Sequence, residues 1–517
     1  MMTISDRALY ARHRAERDTG PWGARAVCEL WLPMLLFGSI GAITWAIRGT
    51  DGWGGIDGTI VPGLTWGILW YYLCSRKGID ARGVALWLGM GIALGGELGY
   101  GQYVSWIRGQ FHVRDEVVPV LPALGYAWFM ICGVGWGAPG GIVLGWVLDG
   151  SRSYARWIVR SILLGLLLVL LFNLGAPLFG AGVIDWLGQR LVELCPGLLF
   201  PNADFGIYAG ELDKHLARTV YTNTQNFAVL IWWAVAMLVA ALQRDRSTLV
   251  AGAVIGGGFG IGFVLSALWC LGYVYAPGYI DWWKVWELNA GFNLGVLYVI
   301  VLYWATRRVD EAHDPDGEPR SALKPEPVPL AFGAWTTSGF MALGGFAVLF
   351  AAGLEFTFWY YFWRALLLGL FFATVMFLAT LRPARHVNDL RKDLSLAFSV
   401  FLLLFIMIQG ATSRTGVVLE LYRPEDVDQY AWPWQRIALL VPAVALLFGV
   451  TLLRVRRILQ GPADMHSLQA EHMIDLFAFI GVVGAVTIWP SEIGVLYAVF
   501  LAFTLYAFTR LSHHLCL

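Results

Sequence analysis

The chain has 517 residues, 58% of them hydrophobic and only 14% charged, with a mean hydropathy of +0.62. Soluble domains carry about 25% charged residues, so this composition excludes an ordinary soluble protein. The 36 basic and 36 acidic residues cancel, which argues against a strongly basic nucleic-acid binder.

Residues 1–26 are polar and arginine-rich, with no short apolar stretch and cleavage site of the kind that marks a signal peptide. After this tail the apolar segments are continuous rather than alternating. That predicts membrane-spanning helices of roughly 20 residues, not barrel strands of about 10 with period two. Fourteen spans are expected, near 27–48, 58–75, 83–102, 119–149, 156–180, 225–243, 248–275, 284–306, 331–353, 356–381, 394–412, 435–455, 472–489 and 491–510. The predicted fold class is therefore all-α: a polytopic integral membrane helical bundle of about fourteen transmembrane helices. Eight spans lie in 27–308 and six in 331–517, divided by a charged, proline-rich linker at 309–330.

Loop charge fixes the expected orientation. With the N-terminus in the cytoplasm, alternate loops collect 25 of the 36 Lys and Arg residues, as the positive-inside rule requires. Both termini are then cytoplasmic, in a plasma-membrane protein.

The first outer turn reads "WAIRGTDGWGGIDG", residues 45–58, and brings Arg48, Asp51 and Asp57 to the membrane boundary. Asp57 also precedes a helix start, so a simple capping role is an equal reading. In the third span Glu97 lies some 14 residues from the cytoplasmic start, among Gly95, Gly96, Gly99 and Gly101. A carboxylate in hydrocarbon is costly unless paired, hydrated or protonated; function and a structural ion pair both remain open. Arg108 repeats Arg48: Gly41, Ile47, Arg48, Gly49, Pro62 and Leu64 match Gly101, Ile107, Arg108, Gly109, Pro122 and Leu124 at an offset of 60.

The run 119–149 is too long for one straight crossing, so a kink or break is expected near Pro139. Glycines cluster at 89–101, 133–141 and 252–263. Such clusters serve close helix packing or mark helices broken around a cavity. The long outer segment 181–224 contains "LGQRLVELCPGLL", which suits an amphipathic helix on the membrane.

The eighth span opens "DWWKVWELNAGFN". Lys284, Glu287, Gly291 and Gly295 share one helical face, and Trp286, Asn289 and Asn293 another. The Lys284–Glu287 pair reads equally as a weak surface pair. Asn289 and Asn293 suit either a polar ligand or a helix–helix contact. In the tenth span Arg364 either snorkels outward or binds an anion.

Cysteines show no paired spacing and read as small packing residues. The histidines fall in connecting or terminal segments, so no metal site and no cofactor is expected. Many of the 26 tryptophans lie near span ends, where the ring prefers the interface. The expected partners are membrane lipids and a small-molecule substrate, with no nucleic acid.

These features favour a secondary-type transporter for a polar, anionic or zwitterionic, small molecule. Its substrate-binding residues would be Arg48, Asp51, Asp57, Glu97, Arg108, Lys284, Glu287, Asn289, Asn293 and Arg364, converging on the outer face, with no catalytic residue. Two other readings stay open: a glycosyltransferase-like enzyme using a lipid-linked donor, built on Asp51 and Asp57, and a non-catalytic scaffold or assembly subunit.

Overall fold

The computed structural model describes residues 26–48, 91–113, 116–149, 153–201, 214–313 and 491–512, parts of 59–81, and the pair 328–329. In chain order, a π-helical turn at Val27–Trp31 leads into α1 (Leu32–Arg48). The strand β1 (Ile79–Asp80) precedes α2 (Gly101–Ile107), β2 (Gln110–Val113), β3 (Glu116–Pro119) and α3 (Pro122–Asp149). Then come α4 (Tyr154–Leu171), α5 (Val183–Leu194) and α6 (Lys214–Leu242). The rod α7 (Arg246–Tyr275) contains a π-helical segment at Gly252–Gly257. Finally, α8 (Trp282–His313) and α9 (Ser491–Ser512) flank β4 (Val328–Pro329).

Seven helices among the described residues are long and apolar enough to cross a membrane. The chain is thus a multi-pass helical membrane protein. The seven correspond to the expected spans beginning at 27, 119, 156, 225, 248, 284 and 491. The expected second span is described only in part, and the five between 331 and 489 lie outside the described residues. The outward faces explain the solvent. Ile158, Ile162 and Leu166 on α4, Ile231, Val235, Leu238 and Leu242 on α6, and Val495, Val499 and Phe503 on α9 are exposed at helical spacing. Apolar stripes turned outward suit acyl chains, not water.

Several boundaries differ from expectation. The third span does not run unbroken through 102: helical residues 91–95 give way to a turn at 96–97 and extended backbone at 98–100. The fourth does not begin at 119, because β2 and β3 pair as an antiparallel hairpin, Phe111 opposite Val118. What remains, α3, stays helical through Pro139 without a break. The fifth stops at Leu171, where Asn173 takes a left-handed φ of 50° that Asn tolerates better than most residues. Its side chain then accepts from Ile184 N at 2.8 Å and starts α5. The sixth begins eleven residues early, at Lys214. The linker expected at 309–330 opens with helix, since α8 continues to His313, and β4 pairs in parallel with β1.

The core is α3, almost wholly buried. Gly133, Gly137, Gly141 and Gly145 form a stripe along it. A Cβ at these positions would collide, in order, with Phe263 and the Phe259 carbonyl, the Ile255 carbonyl, the Ala251 carbonyl and the Thr248 backbone of α7. Two of the glycine clusters therefore pack against each other, backbone on backbone. A second close pair is α1 with α8, where Gly291 and Gly295 press on the carbonyls of Gly41 and Phe37. On the other side of α1 lies α9, joined to it by Thr504 Oγ1 donating to Ser39 Oγ at 2.9 Å.

Candidate functional site

The third glycine cluster, "GMGIALGGELGYG", does something different: it interrupts a helix. Gly91 and Gly95 lie against Gly140 and the Trp136 backbone of α3, where no side chain would fit. The chain then unwinds at Gly96–Tyr100 before α2 begins. Unwinding releases backbone groups inside an apolar bundle, and each one left unpaired costs several kcal/mol, on the order of the transfer free energy of an amide. Neighbouring helices supply the partners. Trp136 Nε1 donates to Leu98 O at 3.0 Å, and Asn226 Nδ2 donates to Gly99 O at 2.9 Å.

Asn226 belongs to a polar face of α6 whose other members, Thr219, Thr222 and Asn223, fall in the expected outer segment 181–224. Thr219, Thr222, Asn223 and Asn226 are all buried, at the i, i+3, i+4, i+7 spacing of one helical face. That spacing is the signal that could have identified them. Asn223 Oδ1 accepts from Tyr103 Oη at 2.7 Å and from Gln102 Nε2 at 3.3 Å, while its Nδ2 donates to Leu199 O. Tyr103 Oη in turn receives Asn226 Nδ2 at 3.1 Å. The break is thus gripped from both sides, by α3 and α6.

Glu97 sits in the turn of the break, half-buried, rather than inside a continuous span as expected. Tyr221 of α6 is within electrostatic reach of it. Three residues on, Tyr100 stacks on Trp283 with centroids 5.8 Å apart and packs on Trp286 at 5.1 Å and Trp136 at 5.8 Å. Through Tyr100 the break abuts the start of α8.

There Lys284 and Glu287 form an ion pair, but the surface reading is corrected: both are about 1% exposed. Lys284 Nζ also donates to Ala46 O at 2.9 Å, in the last turn of α1, where a helix carries partial negative charge. The other oxygen of Glu287 accepts from Trp283 Nε1 at 3.1 Å. Arg108 is nearby, its guanidinium 5.3 Å from the Tyr273 ring, and Tyr273 Oη donates to Asp281. Arg108, Asp281, Lys284, Glu287 and the aromatic pair Tyr100–Trp283 therefore collect where α1, α2, α7 and α8 end. Charges of both signs beside aromatic faces and an unwound backbone can hold a polar molecule through hydrogen bonds, ion pairs and ring contacts.

The remaining expected residues are distributed differently. Asn293 Nδ2 donates to Gly262 O at 2.9 Å and Ser266 Oγ at 3.0 Å, and more weakly to Asn289 Oδ1, so it joins α8 to α7. Arg48 closes α1, beside the Lys284 contact, but its side chain, Asp51, Asp57 and Arg364 lie outside the described residues.

A second charged centre was not anticipated. At the opposite end of the bundle Arg160 of α4, near the start of the expected fifth span, is 1% exposed and donates at 2.7 Å to both Asp149 and Asp245. Arg160 also reaches Trp146 O, Arg156 joins Asp149 to Gln243 O, and Asp245 caps α7 at Thr248 N. Four helix ends meet on this cluster.

Compared with known protein families, curated proteins and solved structures, the chain matches none.

Proposed function

We propose that the chain is a secondary-type transporter for a polar small molecule, with the binding site at the interrupted helix around Glu97 and the adjoining Lys284–Glu287 pair. The observation that carries the reading is the unwound segment 96–100 at the heart of a membrane bundle. Irregular backbone at membrane depth is tolerated only where protein buries it or where it lines a cavity. Discontinuous helices are the recurrent way transporters present backbone groups to substrates and ions. Arg108 and Lys284 favour a carboxylate or other anionic group, and Glu97, Asp281 and Glu287 an ammonium, so an anionic or zwitterionic solute is the expected class.

On the positive-inside argument this end faces outward across the plasma membrane, and the Arg160 end faces the cytoplasm. Glu97 would carry the coupling proton. The transferase reading rests on Asp51 and Asp57, outside the described residues, and nothing else favours it or a scaffold role.

The test is uptake into proteoliposomes from a panel of anionic, zwitterionic and neutral polar solutes, with and without a proton gradient. One class should accumulate, and Glu97→Gln should abolish gradient-driven accumulation while leaving exchange intact. No uptake of any class by folded protein, or unaltered gradient-driven accumulation in Glu97→Gln, defeats the proposal.

A further inference from the structure

The Arg160 centre leaves a ring of arginines around it. Six arginines surround the Gln243–Ser247 turn and the neighbouring end of α8: Arg156, Arg160, Arg244, Arg246, Arg307 and Arg308. Asp149 and Asp245 are taken by Arg160 and Arg156. Arg244, Arg246, Arg307 and Arg308 are exposed, and among the described residues none of them pairs with a carboxylate. Two are held in place: Arg308 donates to Ser247 Oγ at 3.3 Å and lies 4.9 Å from the Trp304 ring, while Arg307 lies over Tyr303.

The level of this ring is set by its surroundings. The exposed apolar stripe of α6 runs through Leu238 to Leu242, 76% exposed, two residues before Arg244. On α4 the stripe of Ile158, Ile162 and Leu166 begins beside Arg156. Tyr154 and Trp157 pack together at the foot of α4, and Tyr303 and Trp304 lie one turn before Arg307 and Arg308 on α8, under their guanidinium groups. Aromatic rings at the ends of apolar stripes mark the boundary between acyl chains and headgroups. The four exposed arginines therefore stand where headgroups are expected, next to surfaces that suit acyl chains.

We propose that this ring is a binding site for anionic phospholipid, the phosphate between Arg244, Arg246 and Arg308 and an acyl chain along the α4–α6 face. Guanidinium pairs with phosphate in a bidentate fork, and the exposed guanidinium groups of Arg244 and Arg246 supply charge complementarity. This proposal needs only a membrane-embedded chain and is independent of what the chain transports.

The test is native mass spectrometry of the full chain released from nanodiscs of equal phosphatidylcholine and phosphatidylglycerol. Wild type should retain phosphatidylglycerol preferentially. Arg244→Gln/Arg246→Gln/Arg307→Gln/Arg308→Gln should lose the preference, at about five-fold in affinity per arginine, and Arg190→Gln at the opposite end should not. Because Arg308 also bonds Ser247, Arg246→Gln alone serves as the variant that leaves the fold intact and should lose about five-fold. Equal retention of both lipids by wild type, or an unchanged preference in Arg246→Gln and the quadruple variant, overturns the proposal. Thermal protection by inorganic phosphate equal to that by phosphatidylglycerol overturns the lipid as occupant.

Discussion

The indole of Trp136 donates to the carbonyl of Leu98 across the gap left by an unwound helix. Trp136→Phe keeps most of the ring but removes the donor, leaving a buried carbonyl unpaired at a cost of about 1–3 kcal/mol. Thermal unfolding in detergent should show the loss. Equal stability of Trp136→Phe and wild type would mean that the break has another source of support.

Arg160 stands between two carboxylates. Arg160→Leu leaves buried Asp245 without its cation, while Asp149 keeps Arg156, and should destabilise by about 3–5 kcal/mol, whereas Arg160→Leu/Asp245→Asn should recover much of that loss. Denaturant unfolding of the single and double variants decides it, and a double variant no more stable than the single would remove the electrostatic account.

On α3, Gly137→Leu meets the Ile255 carbonyl and the Phe259 side chain of α7. Overpacking there should cost about 1–3 kcal/mol or prevent folding. Gly197→Ala, with open space around its added carbon, should leave the unfolding midpoint where it is. A tolerated Gly137→Leu would show that α3 and α7 do not depend on backbone contact.

Cys195 is an exposed free thiol on the segment between α5 and α6, whereas Cys74, Cys132 and Cys270 are free but buried. A membrane-impermeant maleimide should label Cys195 from the side opposite to Arg246→Cys introduced in a Cys195→Ser background. Positive-inside loops assign Cys195 to the outside of intact cells. Labelling of both sites from one side would contradict the helix alternation.

Continuous apolar runs sufficed to locate seven spans, because burial in lipid demands length and apolarity of each helix separately. Partnership was harder to read. The clusters at 133–141 and 252–263 were legible as close-packing stripes, but nothing in their composition distinguishes them from 89–101, which unwinds. Thr219, Thr222 and Asn223 fell outside the expected span because the apolar run begins at residue 225, although their helical spacing with Asn226 is there to see. Arg160 lies near the start of the expected span 156–180, where an arginine ordinarily reaches water. Its burial depends on Asp245, 85 residues later, a proximity that no local pattern encodes. Lys284 and Glu287 were paired correctly, but their depth follows from Ala46 O and Trp283, again tertiary neighbours.

The glycine stripe between α3 and α7 and the Arg160 cluster act on the same pair of helices from different distances. One opposes sliding along the interface and the other joins the ends, so α3, α4, α6 and α7 are held together as one packed unit. Contacts from α8 to this unit are made by side chains, Leu297 on Gly258 and Asn293 on Gly262, instead of by backbone. In the proposed transporter, rocking that exposed Glu97 to alternate sides would therefore fall between that unit and the α1–α8–α9 group, across the stacked rings of Tyr100 and Trp283.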